Sequence, residues 1–195
     1  LDNFNYFGDD RSSDIKIKIM TISSKTFQNK NILIYGMGKS GISSYYFLKK
    51  NNKIVLYDDD KNVFRNRSFK KFYYKKSLIH KIKFDYIVIS PGININKYIL
   101  KNFLKKNKNK IVTDLDVFYS YYNKNKTIAI TGTNGKSTVT RLLYLILKNH
   151  QKDVRMCGNI GNPILLEKKI SLKTIFVIEL SSYQIDYSKI FKANH

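Results

Sequence analysis

The sequence predicts an α/β protein with parallel sheets, in which a Rossmann-like N-terminal domain is followed by the start of a P-loop-type α/β domain. Three observations carry that prediction. Short apolar, β-branched runs alternate with helical patterns along the chain. The runs are apolar at consecutive positions, as in strands covered on both faces. Two of them lead straight into Gly-rich loops that open helices, at Gly36–Gly41 and at Gly132–Ser137.

Residues 1–29 read as peripheral, and 1–19 as a tail or upstream segment. The chain starts at Leu1, and Met20 stands shortly before the first organised run. Asn31–Tyr35 is the first strand, followed by Gly36-Met-Gly-Lys-Ser-Gly41 and a helical pattern carrying Ile42, Tyr45, Tyr46 and Leu48. Lys53–Tyr57 is a second strand, ending at Asp58-Asp59-Asp60. Phe84–Ser90 is a third, closed by the turn Pro91-Gly92. Tyr98–Leu104 reads as a helix with Ile99, Leu100, Phe103 and Leu104 on one face, then Ile111-Val112 as a short strand and Asp114–Tyr122 as a helix. Asn123–Lys126 is a polar joint and the expected boundary between a domain over 20–122 and a second unit over 127–195. Beyond it the pattern restarts with the strand Thr127–Ile130, a loop at Gly132–Ser137 and a helix over Thr138–Asn149. Val139, Leu142, Leu143 and Ile146 are expected to face inward there. Ile175–Ile178 is a further strand that delivers Glu179 at its end.

Composition narrows the class. With 43% hydrophobic residues over 195 positions the chain can bury a core, which excludes wholesale disorder. One Cys excludes an internal disulfide framework, and no Cys/His cluster has zinc spacing. No apolar run approaches the roughly 18 residues of a membrane span, and no signal peptide is visible, so a cytoplasmic protein is expected. The net charge of +22 invites a nucleic-acid reading. The cations are spread along the chain, however, and 31 of 36 are Lys, beside 20 Asn and 26 Ile. All three residue types have AT-rich codons, so genome composition accounts for the excess and no nucleic-acid partner is expected. Cys157 reads as a buried or turn thiol, and His80 and His150 as exposed.

Three constellations carry chemistry. In Gly36-x-Gly38-x-x-Gly41 the glycines serve a tight turn, close approach of a phosphate to the backbone, and helix–strand packing. The helix start offers free N–H groups to an anion. Asp58 follows Gly36 by 22 positions, where a nucleoside contact is expected. The alternative is a packing turn with no ligand. In Thr131-Gly132-Thr133-Asn134-Gly135-Lys136-Ser137-Thr138, backbone N–H groups would cradle phosphates, Lys136 reach the terminal ones and Ser137 offer a hydroxyl to Mg²⁺. The loop is a shortened variant of GxxxxGK[ST], because Ile130 stands where the first Gly belongs. The alternative is a polar helix cap with an incidental Lys. In Glu179-Leu-Ser-Ser-Tyr-Gln184 the carboxylate sits at the sheet edge that carries the phosphate loop and suits a hard ion such as Mg²⁺. The alternative is a solvated strand-end acid.

Together with Ser90-Pro-Gly-Ile93 and Gly158-Asn-Ile-Gly161, these motifs resemble the Mur ligase family in order and spacing, over about residues 20–195. The phosphate loop is shared with folylpolyglutamate synthetases. The Glu-Leu-Ser-Ser-aromatic-Gln run is more specific, to the D-glutamate-adding branch. The resemblance implies a UDP-substrate-binding domain over 20–122 and the start of a central ATPase domain over 127–195. It implies that Gly38, Lys39, Ser40, Asp58, Gly92 and Asn159 contact the substrate and that Gly132–Thr138 bind ATP. Lys136 and Glu179 would be catalytic, with Ser137 and Glu179 holding Mg²⁺. The implied reaction joins D-glutamate to UDP-N-acetylmuramoyl-L-alanine through an acyl phosphate, in the cytoplasm, with a monomeric full-length protein. The family's later Asn-x-x-x-Asp-His motif, modified lysine and C-terminal domain have no counterpart up to His195. The expectation is therefore a portion of a longer protein, inactive alone, with an exposed sheet edge. Two other readings compete. An NAD-dependent oxidoreductase would use only the first loop, and a basic nucleic-acid-binding module only the charge.

Overall fold

A computed structural model of the chain describes residues 26–64, 69, 76–96 and 99–195. The expectation for residues 1–19 lies outside these.

The first sheet is parallel and four-stranded: β1 (Asn31–Tyr35), β2 (Lys53–Tyr57), β3 (Tyr86–Ile89) and β4 (Ile111–Val112), in the order β2-β1-β3-β4. The chain direction of the winding reverses between β1 and β3, and in open α/β sheets ligands bind beyond the strand ends at that point. Helices cover both faces: α1 (Lys39–Leu48), α2 (Lys76–Ile79), α3 (Lys101–Lys106) and α4 (Asp114–Tyr122). Leu33, Tyr35, Ile87 and Ile89 face one cluster with Ile79, Leu100, Phe103 and Leu104. Ile32, Ile34, Leu56 and Val88 face the other, with Tyr45, Leu48, Leu115 and Phe118. Consecutive strand residues thus bury on opposite sides, which is why the runs are apolar without alternation.

The second sheet is also parallel, with β5 (Lys126–Ile130), β6 (Val154–Gly158) and β7 (Ile175–Glu179) in the order β5-β7-β6. It carries α5 (Lys136–Asn149) after β5 and α6 (Ser182–Tyr187) after β7. Cys157, Phe176 and Ile178 join the same cluster as Ile32 and Phe118, so one continuous core spans both sheets. The polar joint is correspondingly tight. Asn125 is buried, and its Nδ2 donates to the carbonyls of Ser171 at 2.7 Å and Thr174 at 3.0 Å.

Several expectations shift at this level. The helix after Pro91-Gly92 starts at Lys101 rather than Tyr98, which is outside the described residues, and Ile99 is exposed. In α1, Tyr46 is exposed while Ser43 and Ser44 are buried, their hydroxyls donating to the Ser40 carbonyl at 2.7 and 2.9 Å. α5 begins at Lys136, two residues early, because Gly135 takes the left-handed conformation (φ 75°) that starts the helix there. Its inward stripe is Thr140, Leu143, Tyr144 and Leu147, which keeps only Leu143 of the expected set. Val139, Leu142 and Ile146 are exposed, Leu142 at 58%. The edge of β5 is partly covered: the Ala129 N–H donates to the His195 carbonyl at 2.9 Å, and the Thr127 N–H to Asn194 Oδ1 at 2.8 Å.

Helix α1 lies close against the end of β1. A Cβ on Gly41 would stand 1.8 Å from the Gly36 carbonyl oxygen, a backbone atom that cannot swing aside. Gly41→Ala is therefore expected to cost about 3 kcal/mol, the upper end of overpacking penalties. Urea denaturation checks it; an unchanged midpoint would show that α1 can retreat.

Candidate functional site

The loop between β1 and α1 and the turn after β3 face each other across the switch point. The Ser90 hydroxyl donates to the Gly36 carbonyl at 2.7 Å, tying the two together. Asp58, at the end of β2, accepts the Met37 N–H at 2.6 Å and braces the Gly-rich loop from the other side. Between them opens a cleft of about 370 Å³. Gly38, Lys39, Ser40, Asp58 and Gly92 line it, and so does Asn159, which arrives from the second sheet. All six expected substrate residues thus share one wall system, although they span more than 120 positions of sequence. Asn159 gets there because its N–H donates to the Glu179 carbonyl at 3.0 Å, which fixes the Gly158–Gly161 turn beside β7.

The second loop stands at the end of β5. Gly132, Thr133, Asn134, Gly135, Ser137 and Thr138 are exposed, and the free N–H groups of the first turn of α5 end the helix axis there. The Lys136 ammonium donates to the carbonyls of Gly132 at 2.6 Å and Thr133 at 3.2 Å, curling over the loop. Because β5 and β7 are neighbours in register, Ile130 pairs with Glu179. The Ser137 hydroxyl donates to Glu179 Oε2 at 2.7 Å. Glu179 is buried, at 4% exposure, so it is not the solvated strand-end acid of the alternative reading. A hydroxyl and a carboxylate brought together beside a phosphate loop are hard oxygen donors of the kind Mg²⁺ takes alongside phosphate oxygens. Among the described residues no group of three His, Cys, Asp or Glu forms a protein-only metal cage.

A third feature lies at the seam between the sheets. Asp114, the first residue of α4, is buried and also lines the cleft. It accepts the Ser40 hydroxyl on Oδ2 and the Gln184 Nε2–H on Oδ1, the latter at 3.1 Å. Burial pushes its carboxyl above the usual range, while the bonds from Ser40 and Gln184 pull the other way. Its neighbour Asp116 is fully buried and accepts from Ser188 Oγ and from the N–H groups of Lys189 and Ile190, at 2.7, 2.9 and 2.8 Å. Asp114 and Gln184 are absent from the residues expected from sequence to form the site. The signal existed: Asp114 follows the strand β4, as Asp58 follows β2 and Glu179 ends β7.

Cys157 is buried within β6, and burial raises its thiol well above the usual range, which leaves it without thiolate reactivity. His80 and His150 are exposed.

The family model described as the Mur ligase middle domain matches residues 130–194. A UDP-N-acetylmuramoylalanine–D-glutamate ligase of Rickettsia bellii is 40% identical over 178 residues, covering 89% of this chain and 38% of the relative. One of Caldicellulosiruptor bescii is 34% identical over 177 residues, covering 85% of this chain and 38% of its own length. Over residues 130–194 the chain is thus similar to Mur ligase middle domains, and over most of its length to part of these two ligases. It spans less than two fifths of the length of these relatives. A solved structure, a UDP-N-acetylmuramate:L-alanyl-gamma-D-glutamyl-meso-diaminopimelate ligase of Neisseria meningitides, aligns with a TM-score of 0.47 at 13% identity. It covers 85% of this chain and 56% of that one.

The matched segment carries the Gly132–Ser137 loop, the Ser137–Glu179 pair, Asn159 and Gln184. The Gly-rich loop and Asp58 lie in the first sheet, outside that segment.

Proposed function

We propose that these residues supply the nucleotide-sugar site and the phosphate loop of an ATP-dependent ligase that joins D-glutamate to UDP-N-acetylmuramoyl-L-alanine in peptidoglycan synthesis. The observation that carries the reading is the cleft that gathers Gly38, Ser40, Asp58, Gly92 and Asn159 from both sheets.

The geometry supports the following residue roles. The N-terminal turn of α1 presents N–H groups to the diphosphate of the sugar nucleotide, and Asp58 holds the loop that carries them. In the second loop the free N–H groups and the Lys136 ammonium offset the charge of the ATP phosphates. Ser137 and Glu179 would hold Mg²⁺, which supplies charge neutralisation when bound. In the proposed reaction a carboxylate oxygen of the substrate attacks the γ-phosphorus and ADP leaves. The amine of D-glutamate then attacks the acyl phosphate, forming the amide and releasing phosphate. Both steps gain from a site that fixes the attacking groups. A nicotinamide-dependent reading would leave the Ser137–Glu179 pair without a role.

Thermal-shift titrations with UDP-N-acetylmuramoyl-L-alanine, Mg²⁺-ATP and NADH test the reading. A ligand bound only by the folded state raises the midpoint, by about 2.7 kcal/mol of stability at 100 times Kd. Shifts with the first two and none with NADH are the expected result. A cooperative melt that responds to NADH alone would overturn it.

A further inference from the structure

We propose that Asp114 is a positioning residue that couples the nucleotide-sugar cleft to the phosphate loop. The inference rests on the ligase reading above and assigns Asp114 no contact with the reacting atoms.

This carboxylate joins the side chains of the two loops, beside the backbone link from the Asn159 N–H to the Glu179 carbonyl. On the first side is the Ser40 hydroxyl, in the first turn of α1 and in the wall of the cleft. On the second is the Gln184 amide, whose orientation is set because its Oε1 accepts the Ser181 N–H at 3.1 Å. Ser181 stands two residues beyond Glu179, and Glu179 accepts the Ser137 hydroxyl of the phosphate loop. Ser40, Asp114, Gln184 and Ser181 therefore form a hydrogen-bonded path across the seam, and the backbone of Leu180 joins it to the Glu179–Ser137 pair.

Simple adhesion does not explain a carboxylate here. Apolar contacts already close the seam, with Phe118 packed on Phe176 at 4.8 Å between ring centroids. A buried acid opposes folding unless its hydrogen bonds are complete, and apolar residues of similar size often serve stability better. What the acid adds is a constraint on donors. A serine hydroxyl has one proton to donate. When the diphosphate of a sugar nucleotide accepts that proton from Ser40, Asp114 keeps the Gln184 amide as its remaining side-chain donor. The Leu115 N–H also reaches the carboxylate but is fixed in the helix backbone, so the side chain that can adjust to the loss is Gln184, and with it the α6 start and Glu179. Occupation of the first site thereby changes affinity at the second, and linkage makes the effect reciprocal.

Asp114→Asn separates this role from a structural one. Its Oδ1 can still accept from Gln184, while its amide N–H donates to Ser40 Oγ. The contacts persist, but Ser40 is free to donate to a ligand, so the competition disappears. The experiment is calorimetric titration of Mg²⁺-ATP into the full chain, with and without saturating UDP-N-acetylmuramoyl-L-alanine. In the parent chain the sugar nucleotide is expected to change the ATP Kd by about fivefold or more, the lower end of allosteric coupling. In Asp114→Asn, which should melt no lower than the parent, the ratio is expected within about twofold of unity while each ligand still binds. Gln184→Met, which cuts the path at its next link, should lose the coupling too. A ratio near unity in the parent, or a fivefold ratio persisting in Asp114→Asn, would overturn the proposal and leave the ligase reading intact. Failure of the parent to bind either ligand would overturn both.

Discussion

Asp116→Ala is expected to lose about 3–5 kcal/mol of folding free energy, a large part of the 5–15 kcal/mol that holds a domain folded. The carboxylate is a shared anchor for two backbone segments. Its Oδ2 accepts the Thr113 N–H at 2.9 Å, closing the start of α4. Its Oδ1 takes the hydroxyl of Ser188 and the N–H groups of Lys189 and Ile190, with Phe191 at 3.2 Å. Alanine would strand those N–H groups in a place that water does not reach, since Asp116 has no exposed surface. Asp116→Asn keeps one acceptor and should lose about half as much. Urea denaturation of the three proteins reads the series. A loss below about 1 kcal/mol for the alanine variant would mean that the 188–191 segment is held by its apolar contacts, not by this acid.

Lys136→Met is expected to weaken ATP binding by roughly 30- to 150-fold, the equivalent of about 2–3 kcal/mol for one charge-assisted contact to phosphate. The stem can still pack, so the melting midpoint without ligand should stay near the parent's. The ammonium has little structural duty to lose, because its two bonds go to carbonyls on its own exposed loop. Glu179→Gln makes a companion test for the metal. In the parent, chelation of Mg²⁺ should reduce ATP affinity strongly. In the variant, affinities with and without chelator should converge. Equal ATP affinity in the parent and Lys136→Met would remove the phosphate role of the loop altogether.

The order of elements was legible because each rule behind it is local. Asn31–Tyr35 reads as a buried strand from five residues, and Gly36–Gly41 as a ligand loop from six, since both demand particular residue types at fixed spacing. The same holds for Glu179 beside the phosphate loop, where a strand-end acid and a neighbouring strand suffice for the inference. Helix α5 shows where local rules stop. It carries Val139, Leu142, Leu143, Leu145, Ile146 and Leu147, and most of these gather on one side. Periodicity reads that side as the buried one, yet Val139, Leu142 and Ile146 on it stand exposed among the described residues. The rotation is set by the helix start: Gly135 opens the turn and Ser137 reaches Glu179, which brings Thr140, Leu143, Tyr144 and Leu147 onto the sheet.

The seam was illegible for a different reason. Asp114 meets Gln184 across 70 residues and Ser40 across 74, and Asp116 meets Lys189 across 73. No short-range pattern marks such pairs, because nothing in the spacing of an acid from its own neighbours says which distant donor will fill its second oxygen. Sequence alone decided the parallel α/β class, the two Gly-rich strand-to-helix loops and the residue types placed on them. Those follow from what five or six consecutive residues can do with their backbone groups. Only the packed structure decided that both sheets share one core, that Asn159 enters the first cleft, and that the two buried aspartates of α4 take donors from across the seam. Those depend on which strand ends become neighbours, and the chain acquires that information only when it closes on itself.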